Sequence, residues 1–397
     1  MLTATIAAIP LLISATTPKT IQTASEWPFK IMESSMVVDS EVNGRKVSCM
    51  FDTGFSGAYV LNQSVNVGKP TGVMNLQDFV GVFQAPTVAI TSLKLGDVKI
   101  DSTDMQVVQM GDQDYSMSYG THCDGIMGLE VIAHRVTTIN FEKSKFQFHP
   151  DSYDISKFRG QPGKTVLKML PIGNNSIELN VSAFNGGKLH LALDTGNGFY
   201  STTHKDSLER IGLWKNGVKP NYIKQSYVAS GAVDSWDIEL ENMTIFGQKV
   251  PYSVWNIIDR PASDAEGDGT VGFGFLKNFN ITIDMERRLV MLENFSNETS
   301  SPKVGDVGFY GFYDEKSKRT IITRVLPGGP AEKAGIKAGD FLVSIGDDLV
   351  EPMSFRTLLS KLEGEPGSTL SIATSRGGNL SRHELKRETM VNKPITN

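Results

Sequence analysis

An excess of positive charge is missing from this chain. Lys and Arg number 39 against 44 Asp and Glu, a net charge of −5 at pH 7. The basic footprint that holds nucleic acid is therefore absent, and no nucleic-acid partner is expected. Cysteine is nearly absent too: Cys49 and Cys123 stand alone in 397 residues. Two cysteines cannot build a disulfide-dense scaffold, and neither has metal-ligand spacing. They could form one disulfide in an oxidising compartment, or stay as two buried thiols. The six histidines are scattered, and none lies in a His-Glu-x-x-His pattern. There is no Gly-x-Ser-x-Gly elbow, and Gly272-Phe273-Gly274 lacks the third glycine of a dinucleotide fingerprint. No metal or cofactor is expected.

Long apolar runs are also lacking, so no stable membrane span is expected. The first 15 residues are apolar, short and followed by a polar stretch. Residues 1–19 read as a secretory signal peptide with its cleavage region near Ile13-Ser14-Ala15, although no Lys or Arg precedes Lys19. Export to a periplasm or outside the cell follows; the alternative is a cytoplasmic protein that keeps Met1 and both thiols.

What is present is ordinary globular material, 40% hydrophobic and 21% charged, with 38 glycines that suit a mainly β, turn-rich chain. The tripeptide Asp-Thr-Gly occurs twice, at Asp52-Thr53-Gly54 and Asp194-Thr195-Gly196. Each copy closes an apolar run. Before the first lie two alternating runs joined at Asn43-Gly44; before the second lie two joined at Asn185-Gly186-Gly187. Both read as β-hairpins. The likeness continues downstream, where Asp124-Gly125-Ile126-Met127-Gly128 parallels Asp268-Gly269-Thr270-Val271-Gly272 at almost the same interval. A short helix and a strand are expected after each. A duplication on this scale repeats whole lobes rather than solenoid units.

Two carboxyls about a hydrogen bond apart cannot both ionise easily, so they share a proton. One can then take a proton from a bridging water while the other gives one to a peptide carbonyl. Thr53 and Thr195 can bond across to the opposite lobe. Gly54 and Gly196, without a Cβ, permit close approach. Asp124 and Asp268 read as supporting turn residues.

These motifs resemble the aspartic peptidases of the pepsin and retropepsin clan over roughly residues 26–294. The resemblance implies a mainly β fold. Two retropepsin-like β-barrel lobes, at 26–150 and 164–294, would form a bilobal aspartic protease. It implies catalytic Asp52 and Asp194, with Thr53, Gly54, Thr195 and Gly196 in support. Gly81 and Gly231, in glycine-bearing segments at matching places, are the flap candidates. The alternative is a catalytically inactive peptide-binding scaffold of the same fold, motivated by Asn197-Gly198 after the second motif.

Beyond the Ser- and Asn-rich linker at 294–302, expected to be flexible, the pattern Gly329-Pro330-Ala331 through Gly339-Asp340 resembles a bacterial PDZ domain (α+β, 303–390). By that resemblance Tyr310-Gly311-Phe312 is the carboxylate-binding loop. A helix bearing Phe355 is the other wall, and protein C-termini bind by β-augmentation. The partners expected are a peptide or protein substrate and protein C-termini.

Overall fold

The computed structural model describes residues 25–32, 34–77, 82–112, 121–172, 175–228, 231–259, 267–314, 317–350 and 355–395. Residues 1–19, expected to be a signal peptide, and Gly81 lie outside them.

Alternation and turn chemistry set the local structure. Strands Met36–Val42 and Arg45–Asp52 pair antiparallel from Val42↔Arg45 to Val37↔Met50. The turn places Asn43 at φ 50° and Gly44 at φ 80°, the left-handed pair that a two-residue hairpin needs. The second unit repeats the arrangement with Glu178–Ser182 and Lys188–Leu193. In each unit a third strand then runs parallel to the one that ends at the aspartate. Gly125–Gly128 aligns Gly128 with Asp52, and Gly269–Val271 aligns Thr270 with Ala192. The expected helices follow at Glu130–Ala133 and Phe273–Leu276, then strands Thr137–Asn140 and Phe279–Asp284.

Those last two strands join the units. They pair antiparallel at the centre of a six-stranded sheet in the order 25–28, 145–148, 137–140, 279–284, 289–294 and 164–168. Thr138 and Thr282 share a hydrogen bond at 2.7 Å, and the Phe141 and Phe273 rings meet edge to face at 5.8 Å. One hydrophobic cluster consequently runs through both units, from Phe29 to Leu292. Burial on this scale, at roughly 25 cal/mol per Å² of apolar surface, is what fixes the relative position of the two aspartate turns.

Both cysteines are free and buried, so the bridge considered between Cys49 and Cys123 is not formed. Cys49 packs in the main core, whereas Cys123 packs in a separate cluster with Val37 and Met50. Neighbouring residues on a strand face opposite sides, so Cys49 and Met50 cannot serve one cluster. The linker at 294–302 is likewise not free. The Ser301 amide donates to the Tyr252 carbonyl at 3.0 Å, and the Ser301 hydroxyl accepts from the Val254 amide at 2.9 Å. Ser301 alone, by its backbone amide and its hydroxyl, supplies these two bonds to strand Gln248–Ile258.

The C-terminal unit is a sheet in the strand order 309–314, 319–325, 341–345, 369–376 and 379–386, with helix Phe355–Leu362 against its first strand. Strand Asn379–Lys386 escapes an apolar reading because seven of its eight residues are not buried. Gly377 at φ 57° and Gly378 at φ 89° were the signal for its turn.

Candidate active site

The duplicated turns meet tip to tip. The Thr53 amide donates to Thr195 Oγ1 at 3.0 Å, and the Thr195 amide donates to Thr53 Oγ1 at 3.0 Å. Each hydroxyl then donates onward across the interface, Thr53 to the Leu193 carbonyl at 2.7 Å and Thr195 to the Phe51 carbonyl at 2.9 Å. Both threonines are fully buried. Four bonds without water competition lock the turns in one geometry, because a buried donor left unpaired costs ~1–3 kcal/mol.

Within its own turn each aspartate accepts two backbone amides. Asp52 Oδ1 takes those of Gly54 (2.7 Å) and Phe55 (3.2 Å). Asp194 Oδ1 takes those of Gly196 (2.9 Å) and Asn197 (3.0 Å). The carboxyls also bond each other. The glycines make this approach feasible. A Cβ on Gly196 would stand 2.3 Å from Asp52 Cγ, and one on Gly54 would stand 2.7 Å from Asp194 Cγ. Gly196→Ala is therefore expected to push the Asp52 carboxyl aside and to destabilise the protein by ~1–3 kcal/mol. Gly111→Ala, whose Cβ meets nothing within 4 Å, is the control that should unfold like the parent in denaturant titration.

Burial sets the electrostatics. Desolvation holds the Asp52 carboxyl well above the usual carboxylate range, and the facing Asp194 charge and their mutual hydrogen bond add to it. Asp194 is also raised by burial, but less freely: the Asp52 bond, the Asn197 and Gly196 amides and the Thr270 hydroxyl all pull it down. A buried pair with one strongly raised member keeps one shared proton through weakly acidic pH. Asp194 is 7% exposed, while Asp52 and Gly54 are more open to solvent, so the pair is reachable from one side.

Asp124 and Asp268 take the turn role expected of them. Asp124 accepts the Ser48 amide at 2.8 Å, and Asp268 accepts the His190 amide at 2.9 Å. Each thereby pins the strand that leads to its unit's Asp-Thr-Gly. The flanking glycines have no room for a side chain: a Cβ on Gly125 would meet the Val60 carbonyl at 2.0 Å, and one on Gly269 the Thr202 carbonyl at 2.2 Å.

The two hairpins singled out for their glycines are present in both units, as Gly72–Gln77 with Val82–Ala89 and Lys224–Val228 with Gly231–Ile245. Gly231 opens the return strand of the second, while Gly81 lies outside the described residues. In the C-terminal unit Tyr310, Gly311 and Phe312 are not a loop. They belong to strand Phe309–Asp314, because the turn comes earlier, at Gly308 with φ 84°. Tyr310 is buried and donates to Asp306 at 3.3 Å, whereas Phe312 is 40% exposed. Phe355 starts the helix. The outer edge of strand Phe309–Asp314 takes no further strand among the described residues.

Sequence reading missed three features. One is the polar trio around Asp194: Asn197, Thr202 and Thr270. Another is the ion pair of Lys224 with Asp237 at 2.7 Å. The last is the tail, where Asn392 bonds Asp237 and Glu239 and docks the C-terminus on strand Gly231–Ile245. The trio had a signal in the repeat itself, since Thr270 replaces the Ile126 of the first copy.

Residues 321–376 match the model of the PDZ domain. Over 97 residues the chain is 33% identical to a chloroplastic C-terminal processing peptidase from Tetradesmus obliquus, covering 23% of this chain and 21% of that one. Over 136 residues it is 27% identical to the periplasmic pH-dependent serine endoprotease DegQ of Escherichia coli (strain K12), covering 32% of this chain and 28% of that one. The chain thus spans about a quarter of the length of these curated relatives. Among solved structures, an aspartic proteinase from Irpex lacteus aligns over 70% of this chain and all of its own, with a TM-score of 0.44 and 15% identity. The chain carries a PDZ domain, which implies peptide binding, and its named relatives are peptidases. Among the described residues no helix is long and apolar enough to cross a membrane.

Proposed function

We propose that this protein is an aspartic-type endopeptidase built from two lobes, 26–150 and 164–294, and completed by the PDZ domain at 303–390. The observation that carries this reading is the reciprocal Thr53–Thr195 lock, with each carboxyl seated over the glycine of the other turn. A water held between Asp52 and Asp194 gives a proton to the ionised carboxylate and attacks the peptide carbonyl. The protonated carboxyl gives its proton to the carbonyl oxygen. The tetrahedral adduct collapses when the leaving nitrogen takes up the water-derived proton from one carboxyl and a hydroxyl of the adduct gives its proton to the other carboxylate, which returns the pair to one shared proton. The threonine lock keeps both carboxyls in place without reorganisation, the condition under which electrostatic stabilisation is largest. The two hairpins close over the substrate as flaps. A peptide C-terminus adds to the free edge of strand Phe309–Asp314, against the Phe355–Leu362 helix. Residues 1–19 export the protein, and the peptidase names of its relatives support a proteolytic role.

The test is to incubate purified residues 20–397 with a diverse peptide library from pH 3 to 8, beside the Asp52→Asn protein. Cleavage present in the parent and lost in the variant is the expected result. No cleavage at any pH by a folded parent would leave the inactive peptide-binding scaffold.

A further inference from the structure

The second unit reaches into the PDZ domain at one end of its peptide groove. The walls of that groove are strand Phe309–Asp314, whose outer edge is open among the described residues, and helix Phe355–Leu362. Each wall gives one residue to a small apolar cluster, Tyr310 from the strand and Leu359 from the helix, and Leu326 and Met390 complete it. Leu358 and Leu362 of the same helix turn instead into the PDZ core. Tyr222 also packs against this cluster, and it is the one member that the PDZ domain does not supply. Side chains two apart on a strand share a face. Tyr310 and Phe312 are so placed, yet Tyr310 is 6% exposed and Phe312 is 40% exposed. The groove is therefore covered at its Tyr310 end and open at Phe312.

Polar contacts hold the segment around Tyr222 in place. The Asn221 amide donates to the Asn392 side-chain carbonyl at 2.8 Å. The Arg324 guanidinium donates to the Ile223 carbonyl at 3.4 Å, to the Lys224 carbonyl at 2.9 Å and to Asp234 at 3.1 Å. The Asn392 amide donates to the Asp237 carbonyl at 2.8 Å, and its own carbonyl accepts the Glu239 amide at 2.9 Å. These partners belong to the second flap hairpin or lead into it. Tyr222 stands two residues before strand Lys224–Val228, which pairs with Gly231–Ile245 from Lys224↔Ser235 to Val228↔Gly231. The covered end of the groove and the base of the hairpin are thus one contact surface.

We propose that Tyr222 is an internal plug of the PDZ groove: it fills the place of a peptide's last side chain beside Tyr310 and Leu359, and a peptide with an apolar last residue and a free carboxylate binds by displacing it. The ring of Tyr222 lies on apolar surface that a C-terminal Phe, Tyr or Leu would cover equally well. A site closed in most molecules binds with its intrinsic affinity reduced by the open fraction. Coupling between two such events is reciprocal. A peptide that expels Tyr222 frees the strand that follows it, so an occupied groove loosens the hairpin, and a hairpin drawn away opens the groove. This rests on the groove placed above at strand Phe309–Asp314, and not on the chemistry of the aspartate pair.

Binding is measured in the full mature chain, residues 20–397, carrying Asp52→Asn so that no peptide is cut. The probe is a fluorescein-labelled pool of decapeptides with a free C-terminus and Phe, Tyr or Leu as the last residue, read by anisotropy. Adding Tyr222→Ala is expected to tighten binding about tenfold, the gain from opening a mostly closed site, while Tyr222→Phe, which keeps the ring, stays with the parent. Arg324→Ala releases the Ile223 and Lys224 carbonyls but leaves Tyr222 in place. It is expected to tighten binding by less, and it covers the case of a poorly folded Tyr222→Ala. Hydrogen exchange is the second readout: the pool at saturation is expected to speed amide exchange over residues 221–228 in the parent and to change nothing in Tyr222→Ala. Equal or weaker binding by Tyr222→Ala, with the parent still binding, would overturn the plug and leave the groove standing. Unchanged exchange in a saturated parent would overturn it too. Binding by neither chain, or equal binding of a C-terminally amidated pool, would sink the groove itself and the plug with it.

Discussion

Asp52→Asn and Asp194→Asn each abolish peptide cleavage while the protein stays folded, and both variants melt higher than the parent at neutral pH. The kinetic loss is ~10²-fold to ~10⁴-fold, the contribution of a positioned acid or base. Either substitution leaves one carboxyl where the reaction needs a donor and an acceptor together. The gain in stability follows from the raised carboxyl of Asp52, which burial dominates. A group whose folded midpoint lies above its unfolded value, about 3.9 for aspartate, stabilises the fold fully below that unfolded value. That contribution is lost as the pH rises through the raised folded value. Asparagine cannot ionise, so Asp52→Asn escapes the loss. The difference in melting temperature between Asp52→Asn and parent is expected to be small at pH 3 and to grow toward pH 7. Scanning calorimetry across that range checks it; a difference that shrinks with rising pH would refute the buried pair.

Lys224→Ala destabilises the protein by ~3–5 kcal/mol, the cost of stranding one member of a buried ion pair. Both Lys224 and Asp237 are 15% exposed at the side chain and 2.7 Å apart. Burial alone would lower the lysine, but Asp237, Tyr310 and Asp306 outweigh it and hold the ammonium well above its usual range. It is therefore charged throughout the working pH range. The pair sits where the PDZ domain meets the second unit. Arg324 of the PDZ domain reaches the Lys224 carbonyl at 2.9 Å and Asp234 at 3.1 Å, and Tyr222 packs against Tyr310, Leu326 and Met390. Lys224→Ala is expected to lower the urea midpoint and to expose the junction at 294–302 to limited proteolysis. Lys224→Met with Asp237→Leu should recover most of the loss, because removing both charges leaves none unpaired. A double variant no more stable than Lys224→Ala would mean that the charges themselves are not the source.

Much of this was legible from local pattern. The Asn43-Gly44 turn needs left-handed dihedrals that few residue pairs tolerate, so the first hairpin could be placed to the residue. The repeated Asp-Thr-Gly and the glycines at 125, 128, 269 and 272 mark places where a backbone carbonyl comes too close for a Cβ. The PDZ pattern called for a helix bearing Phe355, and one begins there, at Phe355–Leu362. Where reading failed, it failed on bonds formed between distant segments. The linker at 294–302 is Ser- and Asn-rich, which reads as flexible, yet the amide and hydroxyl of Ser301 hold it to strand Gln248–Ile258. Tyr310-Gly311-Phe312 reads as a loop by the PDZ resemblance, but Gly311 pairs with Ile322 inside a sheet.

The amino-acid sequence by itself determined the duplication, the two aspartate turns and the PDZ unit, because each rests on periodicity, turn residues or spacing within a few dozen positions. Only the tertiary structure decided that the turns lock through Thr53 and Thr195, that Cys49 and Cys123 serve different clusters, and that Asn197 bonds Thr270. Only it, too, places the PDZ domain beside Lys224. These contacts join residues separated by 70 to 140 positions or more, and which pairs meet is set by how the shared core packs, a property that no local stretch of chain encodes.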